Sequence, residues 1–206
     1  MKKLMPKVVF SLLFLLALQP LAPIEISSSD PIIIVTSIDG TLTLTVAMHK
    51  NNSGGALVSS MDFGVLEDIG THTLRSSSTG TTGTGAVAVF ITTNSHGAPY
   101  SVTQTGTALS NGAVTLPAGA CAVTPVYSTF DNGGAALPSG ASLGTPGTWV
   151  ATNKILYQSD SAGALRTFQA YYSITDDPSA GASSFVPMDQ AGGTYTGTVT
   201  ITATST

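Results

Sequence analysis

Gly192-Gly193-Thr194-Tyr195-Thr196-Gly197-Thr198-Val199-Thr200-Ile201-Thr202-Ala203-Thr204 is the stretch that decides the fold. Tyr195, Val199, Ile201 and Ala203 fall on one side of an extended chain, and threonines fall on the other. Side chains alternate faces along a strand, and β-branched Thr, Val and Ile suit a pleated surface. The stretch therefore predicts a strand with one face in a core. As the closing strand of its sheet, it presents a rim to which a partner's segment can add.

Working back along the chain, strand-like runs recur with turn chemistry between them. Thr41 to Met48 alternates, with Leu42, Leu44, Val46 and Met48 inward and Thr41, Thr43 and Thr45 outward. Asp39-Gly40 before it and Asn52-Ser53-Gly54-Gly55 after it are turn signals. Leu57 to Leu66 reads as a second run. Ala86 to Thr92 is apolar on both faces and fits a central strand. Tyr100 to Thr105, Ala113 to Leu116 and Cys121 to Tyr127 read as edge or meander strands. Trp149 to Tyr157 and Thr167 to Ile174 read as stronger ones, the latter with Phe168, Ala170, Tyr172 and Ile174 on one face.

No helical stripe appears beyond the N-terminal region, and Asn132 to Gly147 is the longest expected loop. The pattern predicts an all-β protein, an immunoglobulin-like sandwich of two antiparallel sheets that is either closed or short of one strand.

Residues 1 to 22 carry Lys2, Lys3 and Lys7, followed by an apolar run from Val8 to Leu18, the layout of a secretory signal peptide cut near Ala22. The run is shorter than the roughly 20 residues that span a bilayer, so no stable membrane span is expected. Removing the leader leaves four Lys and Arg against eleven Asp and Glu. An acidic surface without a basic cluster repels phosphate backbones, which argues against nucleic acid as a partner. A secreted chain destined for the periplasm or cell surface is the expectation. Residues 23 to 38 form an N-terminal extension or first strand, and residues 39 to 206 the sandwich domain.

Charged residues make up only 9 % of the chain, so candidate catalysts are few. Gly140-Ala141-Ser142-Leu143-Gly144 matches the Gly-x-Ser-x-Gly pattern of a nucleophile elbow. It lies in a Pro/Gly loop with no helix pattern after it to supply oxyanion amides. His49, His72 and His96 have no second ligand at metal spacing and sit beside turn residues. Asp176-Asp177 and Asp131-Asn132 carry oxygens suited to calcium, yet Asp-Asp-Pro and Asp-Asn-Gly-Gly are more simply turn formers. No catalytic residue, metal site or cofactor is expected.

Most aromatic residues fall at inward positions. Tyr171 is the exception, since Ala170 and Tyr172 take the other face, and it is the candidate for stacking on a sugar ring. Cys121, the one cysteine, lies among apolar neighbours and reads as a buried, inert thiol.

Ile32, Ile33, Ile34 and Val35 form an apolar extended stretch. It is either the domain's own first strand or a donor strand that leaves its domain and pairs with the open edge of a neighbour. The matching acceptor edge is the terminal strand, with Tyr195, Val199, Ile201 and Ala203.

Met61-Asp62-Phe63-Gly64-Val65-Leu66, the segment Asn94 to Leu109 with Tyr100-Ser101-Val102 and the following Asn111-Gly112, Ile155-Leu156-Tyr157-Gln158-Ser159-Asp160-Ser161-Ala162-Gly163, and the closing Gly193-Thr194-Tyr195 share an order and spacing. Together they resemble the spore-coat-U-like and archaic chaperone–usher pilin domains of bacteria. The resemblance implies an incomplete immunoglobulin-like sandwich, completed by a periplasmic chaperone or a neighbouring subunit. Two features depart from that pattern: Cys121 has no partner for the disulfide that members commonly carry, and the loop at 132 to 147 is longer than expected.

The expected function is that of an exported, non-enzymatic structural subunit of a bacterial surface fibre, pilus or coat, assembling by β-strand complementation with sister subunits. The alternative is a self-contained, secreted adhesive domain that binds glycans.

Overall fold

The structure, a computed structural model, describes residues 24–26, 42–50, 55–68, 72–76 and 86–206. Residues 1 to 22, where a signal peptide was expected, and Ile32, Ile33, Ile34 and Val35 lie outside the described residues. Fourteen strands are described. They are β1 (Ile24–Ile26), β2 (Thr43–Lys50), β3 (Leu57–Val58), β4 (Gly64–Asp68), β5 (Thr73–Arg75), β6 (Val87–Asn94) and β7 (Tyr100–Gly106). The chain continues with β8 (Cys121–Tyr127), β9 (Ser142–Leu143), β10 (Gly147–Thr148), β11 (Lys154–Gln158), β12 (Arg166–Ile174), β13 (Val186–Pro187) and β14 (Val199–Ser205). Among the described residues the only helical turns are three short 3-10 turns, at Ala118–Ala120, Phe130–Asn132 and Pro178–Ala180.

The all-β class expected from the sequence holds, but the strands form three antiparallel sheets where two were expected. A six-stranded sheet runs β10-β8-β12-β6-β2-β3, a four-stranded sheet β14-β7-β11-β9, and a smaller one β1-β4-β5-β13. β6 and β12 lie inside the large sheet, as their apolar runs require. Val87, Val89 and Ile91 on β6 and Phe168, Ala170, Tyr172 and Ile174 on β12 are buried. A strand flanked on both sides and covered on its inner face has little room for charge.

The large sheet packs on β14-β7-β11-β9 through one apolar core, an arrangement consistent with a β-sandwich. Tyr157 of β11 stacks on Phe168 of β12 with ring centroids 5.1 Å apart, and Tyr100 of β7 donates from its hydroxyl to the Thr93 carbonyl of β6 at 3.5 Å. The pairing of β11 with β7 slips between Ile155 and Tyr157, and this bulge puts both Leu156 and Tyr157 in the interior. The third sheet joins the same core through Leu66, Leu74 and Val186. It is tied to the end of β12 by the Arg75–Asp176 ion pair at 2.8 Å, and the Ser76 hydroxyl accepts the Ile174 N–H at 2.8 Å.

Four sequence expectations change. Leu57 to Leu66 is not one strand: β3 and β4 belong to different sheets, and Met61 and Phe63 between them turn into the core. Trp149 to Tyr157 is a strand only from Lys154, because Trp149 sits in the preceding turn, where its N–H bonds the Cys121 carbonyl at 2.8 Å. Ala113 to Leu116 is a turn region closed by the Asn111 side chain, whose oxygen accepts the N–H groups of Ala113 and Val114 at 3.0 and 2.9 Å. Tyr100 to Thr105 and Cys121 to Tyr127 are interior strands rather than edges. The segment from Asn132 to Gly147 is pinned to the sandwich: β9 pairs with β11, and the Asn132 side chain bonds both the N–H and the carbonyl of Thr167.

Candidate assembly edge

β14 runs antiparallel to β7 over its whole length, from Val199 opposite Gly106 to Ser205 opposite Tyr100. Its burial alternates as the sequence pattern demands, with Val199, Ile201 and Ala203 buried and Thr200, Thr202 and Thr204 half-exposed. Backbone direction follows from the hydrogen bonds at its two ends. The Thr107 N–H donates to the Thr198 carbonyl at 2.9 Å, and the Thr206 N–H donates to the Pro99 carbonyl at 3.0 Å. In an antiparallel ladder every second residue faces the partner, so Thr200, Thr202 and Thr204 bond β7. The N–H and C=O groups of Val199, Ile201, Ala203 and Ser205 point the other way, where no strand lies among the described residues.

The contrast with the other sheet edges is one of length and protection. β1, β3, β9, β10 and β13, which close the remaining edges, have only two or three residues each. β14 has seven, without a proline, a charged side chain or a bulge. Short strands, lysines, prolines and bulges are the usual means of blunting an edge, and β14 has none of them.

A second bare stretch lies on the same side. β3 covers β2 only at Met48 and His49, and the Lys50 N–H bonds the Ala56 carbonyl at 3.0 Å. Even-numbered residues of β2 therefore face outward, and among the described residues no strand meets Leu44 or Val46. With β11 over β12 and β7 over β6 across the core, the next strand of each layer, β14 and β2, falls at the same flank of the molecule.

Of the residues singled out in sequence, Val199, Ile201 and Ala203 sit together on β14. Tyr195 precedes the strand: its ring is buried, and its hydroxyl donates to the Ala191 carbonyl at 2.5 Å while accepting from the Gln190 amide at 2.9 Å. The next residue, Thr196, forms a bridge to Ser110. Sequence reasoning missed the outward backbone of Ser205 and the β2 flank, since alternation fixes side-chain faces but not which strand ends a sheet.

Candidate chemistry elsewhere is dispersed. Ser142 lies on β9, and its hydroxyl donates to the Gln158 side chain at 3.4 Å. His49 contacts the Gly55 carbonyl and the Phe90 ring, His72 lies 3.9 Å from Asp68, and His96 pairs with Asn94. Asp176 is held by Arg75 and by the Thr73 hydroxyl, Asp177 caps the turn at Ser179, and Asp131 accepts from Gln169 at 2.5 Å. These carboxylates serve turns and ties. Among the described residues no group of three or more His, Cys, Asp or Glu could hold a metal.

Tyr171 was expected to be open to a sugar ring. It is 6 % exposed, and its hydroxyl donates to Gln169 at 2.5 Å, because both faces of the large sheet are covered at that point. Cys121 is buried as expected, and burial pushes its thiol up to about 12. Comparison with known proteins returns no match to any family model, curated protein or solved structure.

Proposed function

We propose that the protein is an exported, non-enzymatic structural subunit of a bacterial surface fibre or coat, built on an immunoglobulin-like sandwich and assembled by strand addition at the β14 edge. The observation that carries this reading is the seven-residue edge whose outward N–H and C=O groups, on Val199, Ile201, Ala203 and Ser205, meet no strand among the described residues. Each added backbone hydrogen bond contributes about 0.5–1.5 kcal/mol net, and a row of them makes an extended strand the fitting occupant. A helix cannot supply hydrogen-bonding groups at that spacing.

The resemblance to spore-coat-U-like and archaic chaperone–usher pilin domains supports the same reading. So do the leader-like N-terminus and the scarcity of charged groups. An edge of this length, unpaired among the described residues, is an aggregation hazard during export, which gives a periplasmic chaperone a physical task. Two uncharged stretches of the chain suit an extended occupant: the apolar run Ile32 to Val35 and a second β14, whose apolar and threonine residues alternate.

Sedimentation velocity on the secreted, purified chain over a hundredfold concentration range tests the reading. The wild type is expected to associate, and the double variant Thr200→Lys/Thr204→Lys to shift to monomer while keeping its β-sheet circular dichroism. Both side chains lie on the half-exposed face, so the bonds to β7 are retained. A wild type that stays monomeric throughout the range sinks the proposal.

A further inference from the structure

We infer that the β14 edge is self-complementary and that its occupant is β14 of a second copy of this chain, paired antiparallel about a two-fold axis at Thr202. The inference rests on β14 being the assembly edge, and adds the partner and the register.

The outward-facing residues, Val199, Ile201, Ala203 and Ser205, are spaced by two and centred on Thr202. With Thr202 opposite its own copy, Ile201 faces the second copy's Ala203 and Val199 faces its Ser205, and the axis repeats both pairs. Each of these four is a hydrogen-bonded pair exchanging two bonds, so all four outward N–H groups and all four outward C=O groups are used. Moving the axis to Ile201 sets Ser205 opposite Gly197, and moving it to Ala203 sets Val199 opposite a position two residues past Ser205, both outside the strand. An axis between two residues sets outward groups against inward ones and breaks the ladder. One register satisfies the whole edge.

The side chains agree with that register. On the core side the large Ile201 meets the small Ala203, and Val199 meets Ser205. On the other face Thr202 meets Thr202 and Thr200 meets Thr204, hydroxyl pairs that favour an antiparallel ladder. β14 carries no charge, so the acidic character of the chain does not oppose contact along this line. The flank of β2 at Leu44 and Val46, which no strand meets among the described residues, lies on the same side. A two-fold contact is isologous and closes at two copies. The dimer is then the unit that strand addition at β14 builds.

Thr202→Cys tests the register. Thr202 opposite Thr202 is a non-hydrogen-bonded pair with Cα atoms about 4.5 Å apart, within disulfide range, and the native Cys121 is buried. Mild oxidation is expected to convert the variant to a covalent dimer with no higher ladder. As a second pair, Thr200→Cys and Thr204→Cys are expected to stay uncrosslinked separately and to give a covalent heterodimer when mixed. If the wild type associates but neither disulfide forms, and Thr204→Cys crosslinks instead to an Ile33→Cys chain, the edge belongs to the N-terminal segment: the inference fails while β14 remains the assembly edge. If the wild type does not associate, both fail.

Discussion

Gln104 is the residue whose role was least legible. It stands in a threonine-rich run, yet it is 1 % exposed, accepts the Tyr172 hydroxyl and donates to the Trp149 carbonyl at 3.1 Å. One amide thus ties β7, β12 and the turn before β11. Gln104 has the parity of Tyr100 and Val102, both buried, but parity carries no information about a polar partner across the core. Tyr172→Phe removes the donor and leaves a buried carbonyl oxygen unsatisfied, and urea denaturation is expected to register a loss of about 1–3 kcal/mol. Gly106 answers to the same neighbour, since a Cβ there would run into the Trp149 carbonyl. Ile201 was legible, and its burial makes Ile201→Ala a cavity mutation costing about 2–5 kcal/mol in the same assay.

Among elements, the joint between β5 and the end of β12 depends on side chains far apart in sequence. Arg75 and Asp176 form a partly buried pair, with side chains 12 % and 22 % exposed, and the Thr73 hydroxyl donates to the second carboxylate oxygen at 2.8 Å. In sequence Asp176 read as a turn former or a cation ligand, because nothing local announces Arg75. Asp176→Ala strands the guanidinium in a half-buried setting. A loss of about 1–3 kcal/mol is expected, between the values for exposed and fully buried pairs, and thermal unfolding checks it. The apparent strand from Leu57 to Leu66 failed for a related reason. Its apolar residues mark burial, and burial at Met61 and Phe63 comes from a chain crossing between sheets rather than continuing in one.

For the whole molecule, the buried acids set the response to alkali. Burial raises the folded-state pKa of Cys121 from 9.0 to about 12, and burial first of all raises Tyr100, Tyr157 and Tyr172 as well. A group with a raised folded pKa gives up a proton more readily when unfolded. Its stabilisation is complete below the unfolded pKa and is lost as pH rises towards the folded one. Stability is expected to be flat up to about pH 8.5 and to fall between pH 9 and 12. Cys121→Ala should delay the onset of that fall towards the tyrosine range, as measured by denaturant midpoints across pH.

The sequence by itself determined the all-β class, the faces of β2, β12 and β14, the buried thiol and the turns at Asn111-Gly112 and Asp177-Pro178. Those depend on alternation, branching at Cβ and local side-chain-to-backbone bonds, which act within a few residues. Only the tertiary structure decided that the described strands form three sheets, that Tyr171 is covered, and that β14 is a long edge with no strand beside it among the described residues. An edge is defined by the strand that does not lie next to it, and pairing between strands a hundred residues apart is set by the packing of the whole core.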